Sequence, residues 1–225
     1  MGQYYNPSIL KKNWKTADNP VSASLKCYDF GNGAKLMEHS YIGNSFVRSM
    51  EFLLANGYKG HPFVWCGDYA DHVETKTGDH DIYHDASLFI YEDYDSPTND
   101  KKSKKYLVLK DSIPAMPEWK EGKKWNPYET IPYYKYLVNY TKKQYCIVTK
   151  KQYCIVPEFD DSTDEYQVHP LPLLTCSGNG RGLGDYHIDT DERVGSWAFD
   201  KIGLTNDEDE ISGFKEIDGF FKLDY

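Results

Sequence analysis

The sequence predicts an α+β fold built mainly on an antiparallel β-sheet, with one clear amphipathic helix at about 44–56. Aromatic residues make up 16% of the chain, and 20 of its 225 residues are tyrosine. Tyrosine is favoured on the pleated, half-buried surfaces of β-strands. Short apolar or alternating segments are bounded by Gly, Pro and Asp, as expected for strands joined by turns. The length favours a single domain, 1–225, with a core large enough to fold unaided.

The predicted helix rests on one stripe of apolar side chains. Its members fall at i, i+1, i+4, i+7 and i+8: Phe46, Val47, Met50, Leu53 and Leu54. This spacing is typical of a helix that packs one face on a core. Asn44 or Ser45 is a suitable N-cap.

Further segments read as strands. They lie at 24–30, 35–41, 61–67, 86–94 and 105–110, and the first two are expected to form a hairpin closed by the turn at 31–33. Residues 166–176 are expected to be extended, because two prolines there disfavour a helix. The tail is expected to add a last strand to the sheet.

One octapeptide, TKKQYCIV, occurs twice in succession, at 141–148 and 149–156. An insertion of eight residues keeps the inward and outward sides of a strand unchanged, so a sheet can absorb it. The duplication predicts a meander with two TKKQ turns; the alternative is a longer loop in which one copy bulges out.

Charge and composition exclude several classes of protein. The net charge of −9 repels phosphate backbones, so no nucleic-acid partner is expected. No segment approaches the roughly 18 apolar residues of a spanning helix, and the N-terminus lacks a signal-peptide core, so no membrane association and a cytoplasmic location are expected. The five cysteines form no CxxC pair, which indicates buried, reduced thiols and no cofactor site.

The most distinctive segment is SGNGRGLGDYH at 177–187. Its glycines let the backbone approach a ligand closely, successive N–H groups can form an anion-binding nest, and Arg181 adds a planar fork for phosphate or carboxylate. The pattern is neither a P-loop nor a dinucleotide fingerprint, and a tight bulged turn is the alternative. The ligand-binding candidates in this segment are Asn179, Gly180, Arg181, Gly182 and Tyr186.

A second candidate is WCGDYAD at 65–71, where a predicted strand bends at a glycine. Asp68 and Asp71, with Asp185 of the recurring Gly-Asp-Tyr triplet, are candidate catalytic carboxylates, since such groups perform acid–base chemistry or hold a divalent cation. The alternative is that the aspartates cap turns. Trp65 and Tyr69 are candidate ligand-binding aromatics, as is Trp197.

A third, weaker candidate is the His/Asp-rich stretch at 72–85. His80 and His84 are four residues apart and are candidate zinc ligands. The stretch has no HExxH motif, and a solvated polar loop is the alternative. The chain also lacks the GxSxG motif of serine hydrolases.

Several motifs together resemble a group of uncharacterised bacterial and bacteriophage proteins. They are MGQYYNP, KLMEHSYIGN, FVWCGDYAD, YLVNYTKKQY, LPLLTCSGNGRGLGDY and VGSWAFDKI, and they extend through residue 202. The resemblance implies a microbial or phage origin and a shared fold, and it supplies no catalytic residues. The second TKKQYCIV copy departs from the expected single one.

Three functions remain open from the sequence. The first is a module that binds an anionic small molecule, a nucleotide derivative for instance, between the segments 178–184 and 65–71, with Tyr69, Tyr186 and Trp197 as aromatic walls. The second is a hydrolase, metal-assisted or carboxylate-based, that uses Asp68, Asp71 and Asp185. The third is a structural or interaction protein, which predicts that the two glycine-rich turns lie far apart.

Overall fold

A computed structural model describes residues 3–25, 27–30, 32–36, 39–92, 133–148, 154–155, 165–166, 168–178 and 191–221. This part of the chain has mixed α and β content, with one large, mainly antiparallel sheet and few helices. The predicted fold class is therefore confirmed. The described strands are β1 (Tyr5–Leu10), β2 (Val21–Ser24), β3 (His61–Gly67), β4 (Val73–Thr75), β5 (Gly78–His80), β6 (Tyr136–Asn139), β7 (Gln144–Ile147), β8 (Cys154–Ile155), β9 (Glu165–Tyr166), β10 (Cys176–Ser177), β11 (Lys201–Thr205) and β12 (Lys215–Glu216). The described helices are α1 (Ser45–Ala55), α2 (Ile82–Glu92) and α3 (Pro170–Thr175), with 3-10 turns at Trp14–Thr16, Cys27–Phe30 and Asp209–Ile211.

The large sheet has the strand order β12-β7-β6-β11-β3-β1-β2, and β10 joins it at β3. Its pairs are antiparallel except two: β12 runs parallel to β7, and β10 runs parallel to β3. One edge of β3 pairs with β1. The other edge is shared, because β11 pairs with Pro62 near the start of β3 and β10 pairs with Trp65 near its end.

Helices cover both faces of β3. Phe63 and Trp65 point into the larger core, which includes the apolar stripe of α1. Val64 and Cys66 point into a smaller core that includes Ile82 of α2. This alternation follows from the period of two along a strand, and it explains why nearly the whole of β3 is buried.

The helix predicted at 44–56 is confirmed as α1. The Asn44 side chain accepts hydrogen bonds from the N–H groups of Phe46 and Val47, at 2.9 and 3.3 Å, so it satisfies two donors that have no intrahelical partner. All five apolar stripe residues are buried in the larger core.

The strand predicted at 86–94 is wrong, because residues 82–92 form α2. The Asp81 carboxylate accepts the N–H of His84 at 2.9 Å and so caps the start of the helix. The apolar run LFIY is equally compatible with a strand, which is why a strand was expected. The predicted extended conformation of 166–176 is also wrong over α3. Pro170 and Pro172 lie in the first turn of that helix, where a missing N–H breaks no intrahelical hydrogen bond.

The hairpin predicted at 24–41 does not form in the described residues. β2 pairs with β1 instead. The Asn32 side chain accepts the N–H of Ala34 at 2.8 Å and donates to the carbonyl of His39 at 2.7 Å. These local bonds replace the ladder that a strand would need.

The predicted meander is right for its first hairpin only. β6 pairs with β7 across the first TKKQ turn, while β8 of the second copy pairs with β9 in a separate small sheet. The outer edge of β7 is occupied by β12, so the tail does add a strand, as predicted. The strand predicted at 105–110 lies outside the described residues.

Candidate functional site

Two of the sequence-predicted segments meet at one edge of the large sheet. Ser177 pairs with Cys66 in parallel register, so the chain leaves β3 and β10 at neighbouring points and in the same direction. After β3 it turns at once, because the N–H of Ala70 donates to the carbonyl of Gly67 at 3.0 Å. The start of the glycine-rich segment therefore lies beside the Gly67 turn. We call this region the β3–β10 edge. It comprises the last residues of β3 and β10 together with residues 3–5 of the same chain, at the start of β1.

The glycines at both strand ends are closely packed, so a side chain there would crowd its neighbours. A Cβ at Gly178 would lie 2.5 Å from Oε1 of Gln3 and 2.9 Å from the Tyr5 hydroxyl oxygen. A Cβ at Gly67 would lie 3.0 Å from the Tyr5 ring and 3.3 Å from the carbonyl oxygen of Ser177. Gln3 and Tyr5 are buried there, and the Tyr5 hydroxyl donates to Gln3 Oε1 at 2.5 Å.

Exposed aromatic rings flank the same edge. Tyr4 and Tyr69 are each 50% exposed, although most large apolar side chains of the described chain are buried. Asp68 joins their backbones: its N–H donates to the carbonyl of Tyr4 at 2.9 Å, and its Oδ1 accepts the N–H of Tyr4 at 3.1 Å. The backbone segments that carry the two tyrosines are thus hydrogen-bonded to each other. Sequence reasoning missed Gln3, Tyr4 and Tyr5, because only the β1–β3 pairing brings them to this edge.

The two candidate tryptophans lie in the larger core. Trp65 is 1% exposed and packs edge-on against Phe46, with ring centroids 5.6 Å apart. Trp197 is also 1% exposed, and its indole N–H donates to Oε1 of Gln144 at 3.0 Å. Neither ring presents a face to solvent in this structure, so both contribute to packing under the edge rather than to its surface.

The remaining glycine-loop candidates lie outside the described residues: Asn179, Gly180, Arg181, Gly182, Asp185 and Tyr186.

Asp71 and the two candidate zinc ligands occupy different surroundings. Asp71 is exposed beyond the turn. His80 ends β5, and its Nδ1 lies 3.2 Å from Oδ2 of Asp85, whereas the side chain of His84 is exposed on α2. Within the described ranges, no group of three or more His, Cys, Asp or Glu side chains is arranged to hold a metal ion.

A buried polar cluster on α1 was not predicted from the sequence. Arg48 and Glu51 are 1% and 3% exposed, and His169 is 1% exposed. His169 Nδ1 accepts the N–H of Leu171 at 3.0 Å as the cap of α3, so the ring proton lies on Nε2 and donates to Glu51 Oε1 at 2.8 Å. The Arg48 guanidinium stacks on the Tyr133 ring at 4.0 Å. The cluster ties α1 to the helix that leads into β10.

The thiols near the site are chemically quiet. Burial raises the pKa of Cys66 and of Cys176 to about 12, so neither is a thiolate at neutral pH. Cys146 is buried as well, and burial raises its pKa in the same direction. The prediction of buried structural thiols is confirmed for these residues and for Cys27.

Comparison with known proteins adds no assignment. No protein-family model matches the chain, and neither curated proteins nor solved structures match it. The resemblance to bacterial and bacteriophage proteins thus stays a prediction. No helix among the described residues has the length and apolar character needed to cross a membrane.

Proposed function

We propose that the protein binds an anionic small molecule at the β3–β10 edge. The observation that carries this proposal is the parallel pairing of Ser177 with Cys66, which starts the glycine-rich segment beside the Gly67 turn. The interaction-protein hypothesis expected these turns to be far apart.

The chemistry of the edge supports a ligand with two different ends. The glycine-rich segment supplies backbone N–H groups and Arg181, which suit a phosphate or carboxylate. Tyr4 and Tyr69 offer exposed rings for stacking. Asp68 repels an anion but accepts hydrogen bonds from hydroxyl or amino groups. A nucleotide derivative combines an anionic end, hydroxyl groups and a flat ring, and is the class that we propose.

The hydrolase hypothesis has weaker support. The Asp68 carboxylate accepts the N–H of Tyr4 at 3.1 Å, which ties the end of β3 to the residue before β1 and is a structural contact. Asp71 is exposed, and Asp185 lies outside the described residues. No contact in the described chain brings the two described aspartates onto a shared partner.

A thermal-shift screen with nucleotides, cyclic dinucleotides, ADP-ribose derivatives and divalent metals tests the proposal. A ligand at one hundred times its Kd adds about 2.7 kcal/mol to stability, which raises the Tm measurably. We expect a nucleotide-induced shift that Arg181→Ala abolishes and Tyr69→Ala weakens. Tyr133→Ala is the matched control for Tyr69→Ala. Tyr133 is also exposed, at 57%, but its ring stacks on Arg48 of α1 and is not part of the proposed site.

The other outcomes separate the alternatives. A shift with metals alone that disappears in Asp68→Asn would favour the hydrolase. A panel without any shift would contradict ligand binding and favour the interaction protein. A nucleotide shift that survives in both Arg181→Ala and Tyr69→Ala would place the site elsewhere.

A further inference from the structure

The hairpin of β4 and β5 brings a hydroxyl, an imidazole and a carboxylate into one hydrogen-bonded row. Thr77 Oγ1 lies 3.1 Å from Nε2 of His80, and Nδ1 of the same ring lies 3.2 Å from Oδ2 of Asp85. A hydroxyl on one ring nitrogen and a carboxylate on the other is the arrangement of a nucleophile–base–orienter triad. The chain reaches it without the GxSxG motif, and triads are recognised by geometry rather than by sequence position.

Three local elements fix this row. Thr75 pairs with Gly78, so Thr77 occupies a two-residue turn. His80 is the last residue of β5, and Asp85 lies in the first turn of α2. The side chains of His80 and Asp85 are only 13% and 23% exposed, whereas Thr77 is exposed. The base and its partner are therefore largely shielded from solvent, whereas the residue that carries the hydroxyl lies at the surface.

Three groups lie within hydrogen-bonding distance of the Thr77 hydroxyl. Thr75 Oγ1 is 3.0 Å away and can direct its own proton to the carbonyl of Gly78 at 2.9 Å, so it is an acceptor beside the other two. Thr77 Oγ1 lies 3.0 Å from the carbonyl oxygen of Ala17 and 3.1 Å from His80 Nε2. When Nδ1–H of His80 donates to Asp85, Nε2 presents its lone pair to the hydroxyl. The proton then turns from Ala17 to His80 by rotation about the C–O bond, and no heavy atom has to move.

We propose that Thr77 is a nucleophile for acyl transfer from activated esters, at a site independent of the β3–β10 edge. Its Oγ1 attacks the ester carbonyl carbon while His80 Nε2 takes the hydroxyl proton. The bond to the leaving alcohol breaks, and that alcohol receives the proton, which leaves an ester on Thr77. Water then attacks this ester with His80 as base, releases a carboxylic acid and restores the hydroxyl. Thr77 and His80 are catalytic residues, and Asp85 is a positioning residue.

The test is covalent labelling of the full chain, followed by peptide mass spectrometry. The probes are p-nitrophenyl acetate and diisopropyl fluorophosphate, from which the hydroxyl displaces p-nitrophenol or fluoride. We expect one adduct on Thr77, retained in Thr77→Ser and absent in Thr77→Val. His80→Gln should slow labelling by about 100-fold, a typical share for general base catalysis. Asp85→Asn should slow it less.

His72→Gln is the matched control. His72 also faces a carboxylate, at 3.8 Å from Asp81 Oδ2, but it is exposed and has no hydroxyl within hydrogen-bonding distance among the described residues. The His72→Gln variant should be labelled at the same rate as the wild-type chain. The proposal is overturned if Thr77 carries no adduct, or if His80→Gln labels as fast as the control. If Thr77→Val fails to fold, Thr77→Ser and His80→Gln still decide the question, because the first retains the hydroxyl and the second leaves it untouched.

Discussion

Gly195 is the position where one added methyl group should do most harm to the β3–β10 edge. Its φ is +70°, a left-handed conformation, and a Cβ there would lie 2.7 Å from the carbonyl oxygen of Cys176 in β10. The left-handed backbone costs a non-glycine residue about 1–2 kcal/mol. Overpacking against fixed backbone adds about 1–3 kcal/mol. Gly195→Ala should therefore lower the free energy of unfolding by about 2–5 kcal/mol.

The Gly60→Ala variant separates the effect of the contact with Cys176 from the cost of the left-handed backbone. Gly60 has a nearly identical φ of +72°, but a Cβ there would meet nothing within 4 Å. Both variants carry the same backbone strain, so their difference reports the contact with Cys176. Urea unfolding at equilibrium, with comparison of midpoints at constant slope, measures this difference. Equal losses in the two variants would refute the close approach of residue 195 to β10.

Three further predictions follow from polar contacts. His169→Ala removes the partner of the buried Glu51 carboxylate, and should cost about 3–5 kcal/mol in urea unfolding. The hydrogen bonds from Arg193 lower the pKa of Asp191. The stability that this pair contributes is therefore present above about pH 4 and is lost as the pH falls further. In acid titrations, Asp191→Asn should abolish that loss. Burial and, to a smaller extent, a carboxylate partner raise the pKa of Tyr140. The stability that its protonated hydroxyl contributes is therefore lost as the pH rises above about 10. Tyr140→Phe should give a shallower alkaline decline in the urea midpoint.

The sequence predicts an element well where local and tertiary requirements agree. For α1, the apolar stripe and the Asn44 cap both specify a helix, and both are observed. α2 was missed because its run of bulky apolar residues is equally compatible with a buried strand, and the Asp81 cap was the local feature that decided it. α3 differs from the prediction because proline, which generally favours an extended chain, is well tolerated in the first turn of a helix, where Pro170 and Pro172 lie.

The candidate site shows the same limit over longer distances. Residues 67–69 and 177–178 stand out locally, because glycine next to Asp, Tyr and Ser marks a bend. Their adjacency depends on the parallel pairing of β10 with β3, which no local pattern encodes. The place of Tyr4 depends likewise on β1 lying along β3. Trp65 and Trp197 show the converse, because an aromatic residue near a glycine turn reads the same whether its ring points outward or into the core.

The arrangement of β3 explains why a binding edge would form at this end of the sheet. On the side of β3 away from β1, β11 pairs only with the beginning of the strand, and the two residues of β10 pair near its end. Among the described residues, the pairing of β10 with β3 ends at Ser177 and Cys66, so the backbone groups of Gly67 and Asp68 need other partners on that side. Asp68 meets part of this need by binding the backbone of Tyr4. The stability of the sheet and the proposed anion site therefore depend on the same short pairing of β10 with β3.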